Sequence, residues 1–169
     1  MKQKVIMSRY SLLATLLTLI CLVALGAFAC RVGSNDSFFL YCVLFSAMLI
    51  ISLFYVPLEI EADPERLTII RAFARKHIPI KDIVEIRMCA PEIPTFRMMG
   101  SGGFMGHWGW FRSKNLGKYF AYFGRSSDCI FIRLRDDRRY MISCGEPHEM
   151  VAYVRSHMAD QATNPSGEE

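Results

Sequence analysis

The chain has 169 residues, of which 52% are hydrophobic, and it carries a formal net charge of +4. No known DNA or RNA motif accompanies this mildly basic balance, and aromatic residues are not interleaved with the arginine clusters, so nucleic acid is excluded as a predicted partner. The six cysteines include no C-x-x-C pair. This spacing excludes a disulfide framework or a zinc site as the organising feature.

Two long uncharged apolar segments, residues 11–30 and 38–56, dominate the N-terminal part of the chain. Each is close to the roughly 20 apolar residues that cross a bilayer core. A buried helix of a soluble core is the alternative, but two adjacent uncharged segments of this length favour membrane spans. Residues 31–37, rich in Gly, Ser, Asn and Asp, are predicted to form a short external loop. The sequence therefore predicts a transmembrane hairpin.

Basic residues beside the spans predict the orientation. Lys2, Lys4 and Arg9 precede the first span, whereas the connecting loop carries Arg31 as its one basic residue. By the positive-inside rule, the N-terminal tail, residues 1–10, is cytoplasmic, and so is everything after the second span. We therefore expect a multi-pass protein of the bacterial inner (cytoplasmic) membrane with both termini in the cytoplasm.

A signal peptide is the rival interpretation of the first apolar segment. Ala27, Phe28 and Ala29 resemble a small-x-small cleavage site, with Cys30 as a candidate lipid acceptor. The segment is longer than the roughly 7 to 15 residues of a signal core, and cleavage would leave only a stub before the next span. Cleavage would invert the topology and place the soluble part outside.

Residues 57–159 are enough for one small domain with its own core. Alternation of apolar and polar residues predicts half-buried strands over residues 58–62, 67–73, 84–88, 118–123, 130–134 and 139–143. From Pro147 onward, Met150, Val151, Val154 and Met158 fall on one helical face, which predicts a C-terminal amphipathic helix. The polar tail, residues 160–169, is predicted to be disordered.

Several landmarks in this region carry a family resemblance. They are "IPIKDI" at 78–83, the glycine-aromatic stretch through Arg112, then Gly117, Ala121 and Tyr122, and "YMIS" at 140–143 ahead of Pro147. Together they resemble the bacterial pleckstrin-homology-like (PH-like) domains over roughly residues 57–159. The expected fold is a two-helix transmembrane hairpin followed by a mainly-β PH-like barrel of about six or seven antiparallel strands, capped by one C-terminal α-helix. Since PH folds are mostly binding scaffolds, the resemblance implies a binding or assembly module.

The stretch "GSGGFMGHWGWF", residues 100–111, is the most unusual local feature. It lacks the Lys-Ser or Lys-Thr of a phosphate-binding loop and the third glycine of a dinucleotide fingerprint. Treated as a loop, it has three remaining interpretations: a structural lid over the barrel opening, a membrane or lipid contact, or a site for a partner protein. The candidate contact residues are Phe104, Trp108, Trp110, Phe111, Arg112 and Lys114.

No catalytic, cofactor-binding or metal site is predicted. The four histidines lack metal-ligand spacing, and no nucleophile, base and orienting group come together in the sequence. The loop at residues 61–66 holds three acidic residues and one basic residue, which argues against phosphoinositide binding there. Expected partners are the bilayer, anionic lipid headgroups, and another membrane or cytoplasmic protein. The predicted function is a non-catalytic binding or assembly module; the alternative is an anionic-lipid-binding or lipid-sensing accessory of a membrane enzyme or transporter.

Overall fold

The computed structural model describes residues 1–32, 35–92 and 96–163. Helices are α1 (Arg9–Val32), α2 (Asn35–Tyr55) and α3 (Pro147–Thr163). Strands are β1 (Lys2–Lys4), β2 (Pro57–Ala62), β3 (Arg66–Arg71), β4 (Arg75–Pro79), β5 (Ile83–Met88), β6 (Phe96–Gly103), β7 (Gly106–Ser113), β8 (Gly117–Phe123), β9 (Cys129–Leu134) and β10 (Arg139–Ser143). Short 3₁₀ turns, Ile80–Asp82 and Ser126–Asp128, precede β5 and β9.

The two N-terminal helices pack against each other as a hairpin. Gly26 permits the close approach, because a Cβ there would lie 2.8 Å from the Tyr41 ring. The Tyr41 hydroxyl donates a hydrogen bond to the Leu22 carbonyl oxygen. Of the predicted external loop, residues 33 and 34 lie outside the described part of the chain. Both helices are long and apolar enough to cross a membrane, and almost none of their apolar length is buried in the protein.

The first sheet has four antiparallel strands in the order β1-β2-β3-β4. Its first strand lies in the segment expected to be a tail: Lys2 to Lys4 pair with Glu61 to Glu59. Lys2 also forms an ion pair with Glu59 at 2.8 Å. The N-terminus therefore belongs to the same sheet as the strand that follows α2, which brings both ends of the helical hairpin to one sheet.

The second sheet has six strands in the order β5-β9-β10-β8-β7-β6. Three features of the expected barrel are wrong. β8 and β10 pair in parallel, whereas all strands were expected to be antiparallel, and neither sheet closes on itself. The strand number is also higher than six or seven, since nine strands follow α2 in the described residues. The additional strands, β4, β6 and β7, lack the alternating pattern that sequence reasoning depends on.

The main core lies between the two sheets and under α3. Ile60, Leu67 and Ile69 of the first sheet are buried together with Ile130 and Ile132 of the second. The predicted C-terminal helix is confirmed as α3, which begins at Pro147 and fully buries Met150 and Val154. Proline suits the first helical position because the amide it lacks would be unpaired there. Helix α3 continues through the first four residues of the segment predicted to be a disordered tail, and residues 164–169 lie outside the described part.

Candidate functional site

The glycine-aromatic stretch forms part of a β-hairpin and is not the loop that the sequence predicts. Strands β6 and β7 pair around a two-residue turn at 104–105. Gly100 and Gly109 face each other across the pair with φ values of 123° and 121°. A Cβ on Gly109 would lie 2.2 Å from the Met99 carbonyl oxygen. Both positions therefore require glycine, because the two backbones approach too closely to admit a side chain.

The turn of this hairpin lies against α1. The Met105 amide donates a hydrogen bond to Thr15 Oγ1 at 2.8 Å. Gly103 lies beside Tyr10 and Ala14, where an added Cβ would come within 3.3 and 3.4 Å of their side chains. Thr15 stands in the second turn of the helix, beyond its charged first residue. The turn, with half-buried Phe104, is thus level with the apolar part of α1.

The end of α2 packs on one face of the same hairpin. Tyr55, the last residue of α2, stacks on Trp108 with ring centroids 5.4 Å apart and lies 6.1 Å from Phe120. Trp110 meets Phe120 edge to face at 5.0 Å. Lys118 Nζ lies 4.4 Å from the centre of the Trp110 ring. Both tryptophans therefore belong to a packed aromatic cluster that connects α2 to the six-stranded sheet.

The structure divides the six predicted contact residues into separate groups. Phe104 lies in the turn that contacts α1 through Met105, and Trp108 stacks on the last residue of α2. Phe111 points to the other face of the sheet, where it is 6% exposed and part of a second hydrophobic cluster. Arg112 and Lys114 are exposed, but they lie at the opposite end of the hairpin, roughly 20 Å along the strand from the turn. Trp110 belongs to the aromatic cluster with Phe120. The six residues are therefore spread along the hairpin and over both faces of the sheet.

A second turn touches the helices, and the sequence did not predict this turn or its contact with α2. Phe73, in the turn between β3 and β4, is 65% exposed and its ring centroid lies 5.5 Å from that of Phe54 in the last turn of α2. Arg71 Nη1 donates a hydrogen bond to the Phe54 carbonyl oxygen at 3.3 Å. Residues 67–73 read as one continuous strand because no Gly or Pro marks the turn. The sequence signal for a surface turn here was the basic residues before and after Phe73, namely Arg71, Arg75 and Lys76.

Strand β6 forms one edge of the six-stranded sheet and carries exposed apolar side chains. Phe96, Met98 and Met99 are 73%, 50% and 70% exposed. An edge strand leaves backbone N–H and C=O groups unpaired along one side, so it can accept another strand or an apolar partner surface. The sequence did not single out these residues, because "FRMM" has neither alternation nor a turn signal.

A cavity of about 850 Å³ lies on the other face of the sheet beside Arg97 and His107. Two of its polar lining residues are already engaged in other hydrogen bonds. The Ser127 hydroxyl donates to Asp128 at 2.7 Å, and the Glu92 carboxylate accepts hydrogen bonds from the loop that follows β7. Neither group is therefore directed to His107 as a nucleophile or an orienting partner would be.

Burial is the main cause of the pKa shifts of His107, Cys129 and Cys144. Burial, helped by the charge of Arg97, lowers the pKa of His107, whose ring stacks on Phe123 at 4.6 Å. Burial raises the pKa of the Cys144 thiol to about 12 and that of Cys129 further still. Both thiols are protonated at neutral pH and are unreactive as nucleophiles. Within residues 1–32, 35–92 and 96–163, no cluster of three His, Cys, Asp or Glu side chains could hold a metal ion.

Comparison with known families decides the class of the domain. The family model described as Bacterial PH domain matches residues 58–158, which is more than half of the chain. The chain belongs to the bacterial PH domain family. No curated protein and no solved structure matches it. The match runs from β2 to α3, so α1 and α2 lie outside it although they contact the bacterial PH domain through both turns described above. Members of this family are generally non-catalytic binding modules.

Proposed function

We propose that this protein is a membrane-anchored binding module without catalytic activity, in which α1 and α2 cross the bacterial inner membrane and hold the PH domain on its cytoplasmic face. The observation that carries the proposal is the exposure of the two helices. Their apolar side chains face outward along nearly the whole length of each helix, and only 0% and 6% of the apolar stretches of α1 and α2 are buried. A core helix of a soluble protein would be covered, and apolar surfaces this large need a lipid environment.

The distribution of basic residues supports the cytoplasmic location. Lys4 and Arg9 lie at the end of the hairpin that contacts the domain, and Lys2 lies in the first sheet. At the other end Arg31 is the basic residue in the last turn of α1. The domain side is thus the more basic side, which the positive-inside rule assigns to the cytoplasm.

The surface that we propose for partner binding is the exposed edge of β6. Its apolar residues Phe96, Met98 and Met99 are among the most exposed large side chains outside the two helices. Methionine adapts its shape to different apolar partners, and the unpaired strand edge supplies backbone hydrogen bonds. These properties fit another membrane or cytoplasmic protein better than a small molecule, which would need a concave site.

A photoreactive residue in place of Met99, in the full chain in native membranes, tests this proposal. The matched control is Val84, which is 51% exposed and lies on β5, the other edge strand of the same sheet. We expect a discrete protein adduct from position 99 and none from position 84. Equal labelling of both positions, or no protein adduct at either, would contradict a docking role for β6.

The alternative, an anionic-lipid-binding or lipid-sensing accessory of a membrane enzyme or transporter, is favoured by the position of the hairpin turn. Phe104 is level with the apolar part of α1, and Trp108 stacks on the last residue of α2. An aromatic residue at such a level is typical of the membrane interface. Predominantly lipid adducts from a photoreactive residue at position 104, with no protein adduct from position 99, would favour this function over protein binding.

A further inference from the structure

The turn between β3 and β4 lies beside the C-terminal end of α2. Its exposed aromatic residue, Phe73, packs beside Phe54, which lies inside the second candidate span. A large apolar side chain that is 65% exposed is costly in water but suits the boundary between headgroups and acyl chains. The contact fixes the level of this turn relative to α2, because Arg71 also bonds the backbone of Phe54.

Three cations flank Phe73 in the sequence, and no acid of the described residues forms an ion pair with them. Arg71 precedes the turn, and Arg75 and Lys76 follow it. Within the described part of the chain, none of the three has a carboxylate within ion-pair distance. Glu59 on β2 lies in register with Ile70 of β3 and, one strand further, with Arg75 of β4. Its carboxylate is already paired with Lys2 at 2.8 Å. Within residues 1–32, 35–92 and 96–163 no carboxylate balances this cluster, so its charge is available to an anion outside the chain.

We propose that the β3–β4 turn is an anionic-phospholipid contact, in which Phe73 inserts at the headgroup boundary and Arg71, Arg75 and Lys76 bind lipid phosphates. This inference rests on the proposed function, since it requires α1 and α2 to lie in a bilayer. It places the lipid contact on the four-stranded sheet, away from the Arg112 and Lys114 that the sequence suggested. Together with the hairpin turn at 104–105, it gives the domain contacts with the membrane surface through both of its sheets.

The chemistry of the cluster selects anionic over zwitterionic lipid. A cation close to the membrane surface contributes about 1 kcal/mol of attraction to anionic lipid, which corresponds to about a fivefold local enrichment for each charge. Arginine and lysine both bind phosphate, and Phe73 adds an apolar contact that does not depend on charge. Anionic lipid should therefore be enriched around position 73 relative to the bulk bilayer.

The test uses the full chain in nanodiscs that contain equal amounts of phosphatidylglycerol and phosphatidylcholine. A photoreactive benzoyl-phenylalanine replaces Phe73, and mass spectrometry counts the adducts of each lipid. Leu25, which is 55% exposed in the middle of α1, reports the bulk lipid ratio, and Val84 on β5 serves as the position away from the membrane. We expect at least about fivefold more phosphatidylglycerol than phosphatidylcholine at position 73, a ratio near one at position 25 and no lipid adduct at position 84.

The outcomes separate the two proposals. Lipid adducts at Leu25 without lipid adducts at Phe73, or with a ratio near one at both, would overturn the phospholipid contact and leave the membrane anchor intact. No lipid adduct at Leu25 would overturn the anchor itself. Because Phe73 is exposed and the probe keeps an aromatic ring, the substitution should not prevent folding. Arg75→Gln with Lys76→Gln should then reduce the ratio at position 73 towards one, and an unchanged ratio would contradict the role of these two cations.

Discussion

The backbone amide of Met105 donates a hydrogen bond to the side-chain oxygen of Thr15 at 2.8 Å, across 90 residues of sequence. This bond joins the turn of the β6–β7 hairpin to the second turn of α1. The PH domain is thus held directly against its helices and is not suspended from them on a flexible linker. The relationship explains why an unusual glycine-aromatic sequence stands in a domain that directly follows two apolar helices.

Replacement of Thr15 by Val should weaken this connection. Valine keeps the shape of threonine but leaves the Met105 amide without its acceptor, at a cost of about 1 kcal/mol or more. The matched control is Thr18→Val, because the Thr18 hydroxyl bonds only the Ala14 carbonyl of its own helix at 2.7 Å. Hydrogen exchange of residues 103–106 in nanodiscs should accelerate in the first variant and not in the second. Equal exchange in both variants would show that the bond does not hold the turn.

Gly109→Ala should unfold the hairpin. Its Cβ would lie 2.2 Å from a backbone oxygen at a φ of 121°, so the strand must move, and we expect a loss of more than about 3 kcal/mol in the free energy of unfolding. Both tryptophans of the chain lie in β7, so their fluorescence reports this unfolding directly. Gly145→Ala is the control, since the nearest atom to its added Cβ would be 3.7 Å away. If Gly109→Ala is as stable as Gly145→Ala and the wild type, the close approach of the backbones does not require glycine at position 109.

Ser143→Ala should destabilise the junction between β10 and the residue after β8. The Ser143 hydroxyl is 1% exposed and accepts a hydrogen bond from the Gly124 amide at 3.0 Å. Removal of the oxygen leaves a buried N–H unpaired, which costs about 1 to 3 kcal/mol. Ser156→Ala on α3 removes an exposed hydroxyl whose partners, the Tyr153 carbonyl and the His157 ring, belong to the same helix, so it should be nearly neutral. Thermal unfolding of the two variants in the same detergent measures the difference.

His107 should make the domain less stable in acid. Its pKa is lower in the folded protein than in the unfolded chain, so the unfolded state binds more protons as the pH falls. The free energy of unfolding should therefore fall as the pH drops below about 6.5, the ordinary value for histidine. His107→Phe keeps the stacking on Phe123 and removes the titration. If the variant shows the same loss of stability between pH 7.5 and 5 as the wild type, His107 is not the cause.

The elements that could be predicted from the sequence are those with a regular pattern. The uncharged apolar segments correspond to α1 and α2, the apolar face after Pro147 to α3, and the alternating "IFIRL" and "RYMIS" to β9 and β10. In each case the pattern lies within the segment itself, so the type of element can be predicted without knowledge of a distant partner. The family assignment, which depends on these strand ends and on the glycines, is confirmed by the match over residues 58–158.

The missed elements depend on partners that are distant in sequence. "KQK" has no apolar residue. It becomes β1 because β2 has a free edge with which it can pair. The parallel pairing of β8 with β10 is set by the packing of the whole sheet and leaves no local signal. The glycines of β6 and β7 suggested a loop, whereas their function is to let two backbones approach. The contact of Phe73 with Phe54 of α2 could not be predicted, because it depends on how α2 packs against the first sheet.

The topology of the full chain in cells is the measurement that most directly tests the membrane-anchored PH domain. Protease is added to spheroplasts and to inverted inner-membrane vesicles of a bacterial host that expresses the protein, and fragments are detected with an antibody against the domain. The predicted result is digestion of the domain in inverted vesicles and full protection in intact spheroplasts, with the domain remaining in the membrane fraction after alkaline washing. Digestion in intact spheroplasts, or release of the domain by the wash, would contradict a cytoplasmic PH domain anchored by two membrane spans.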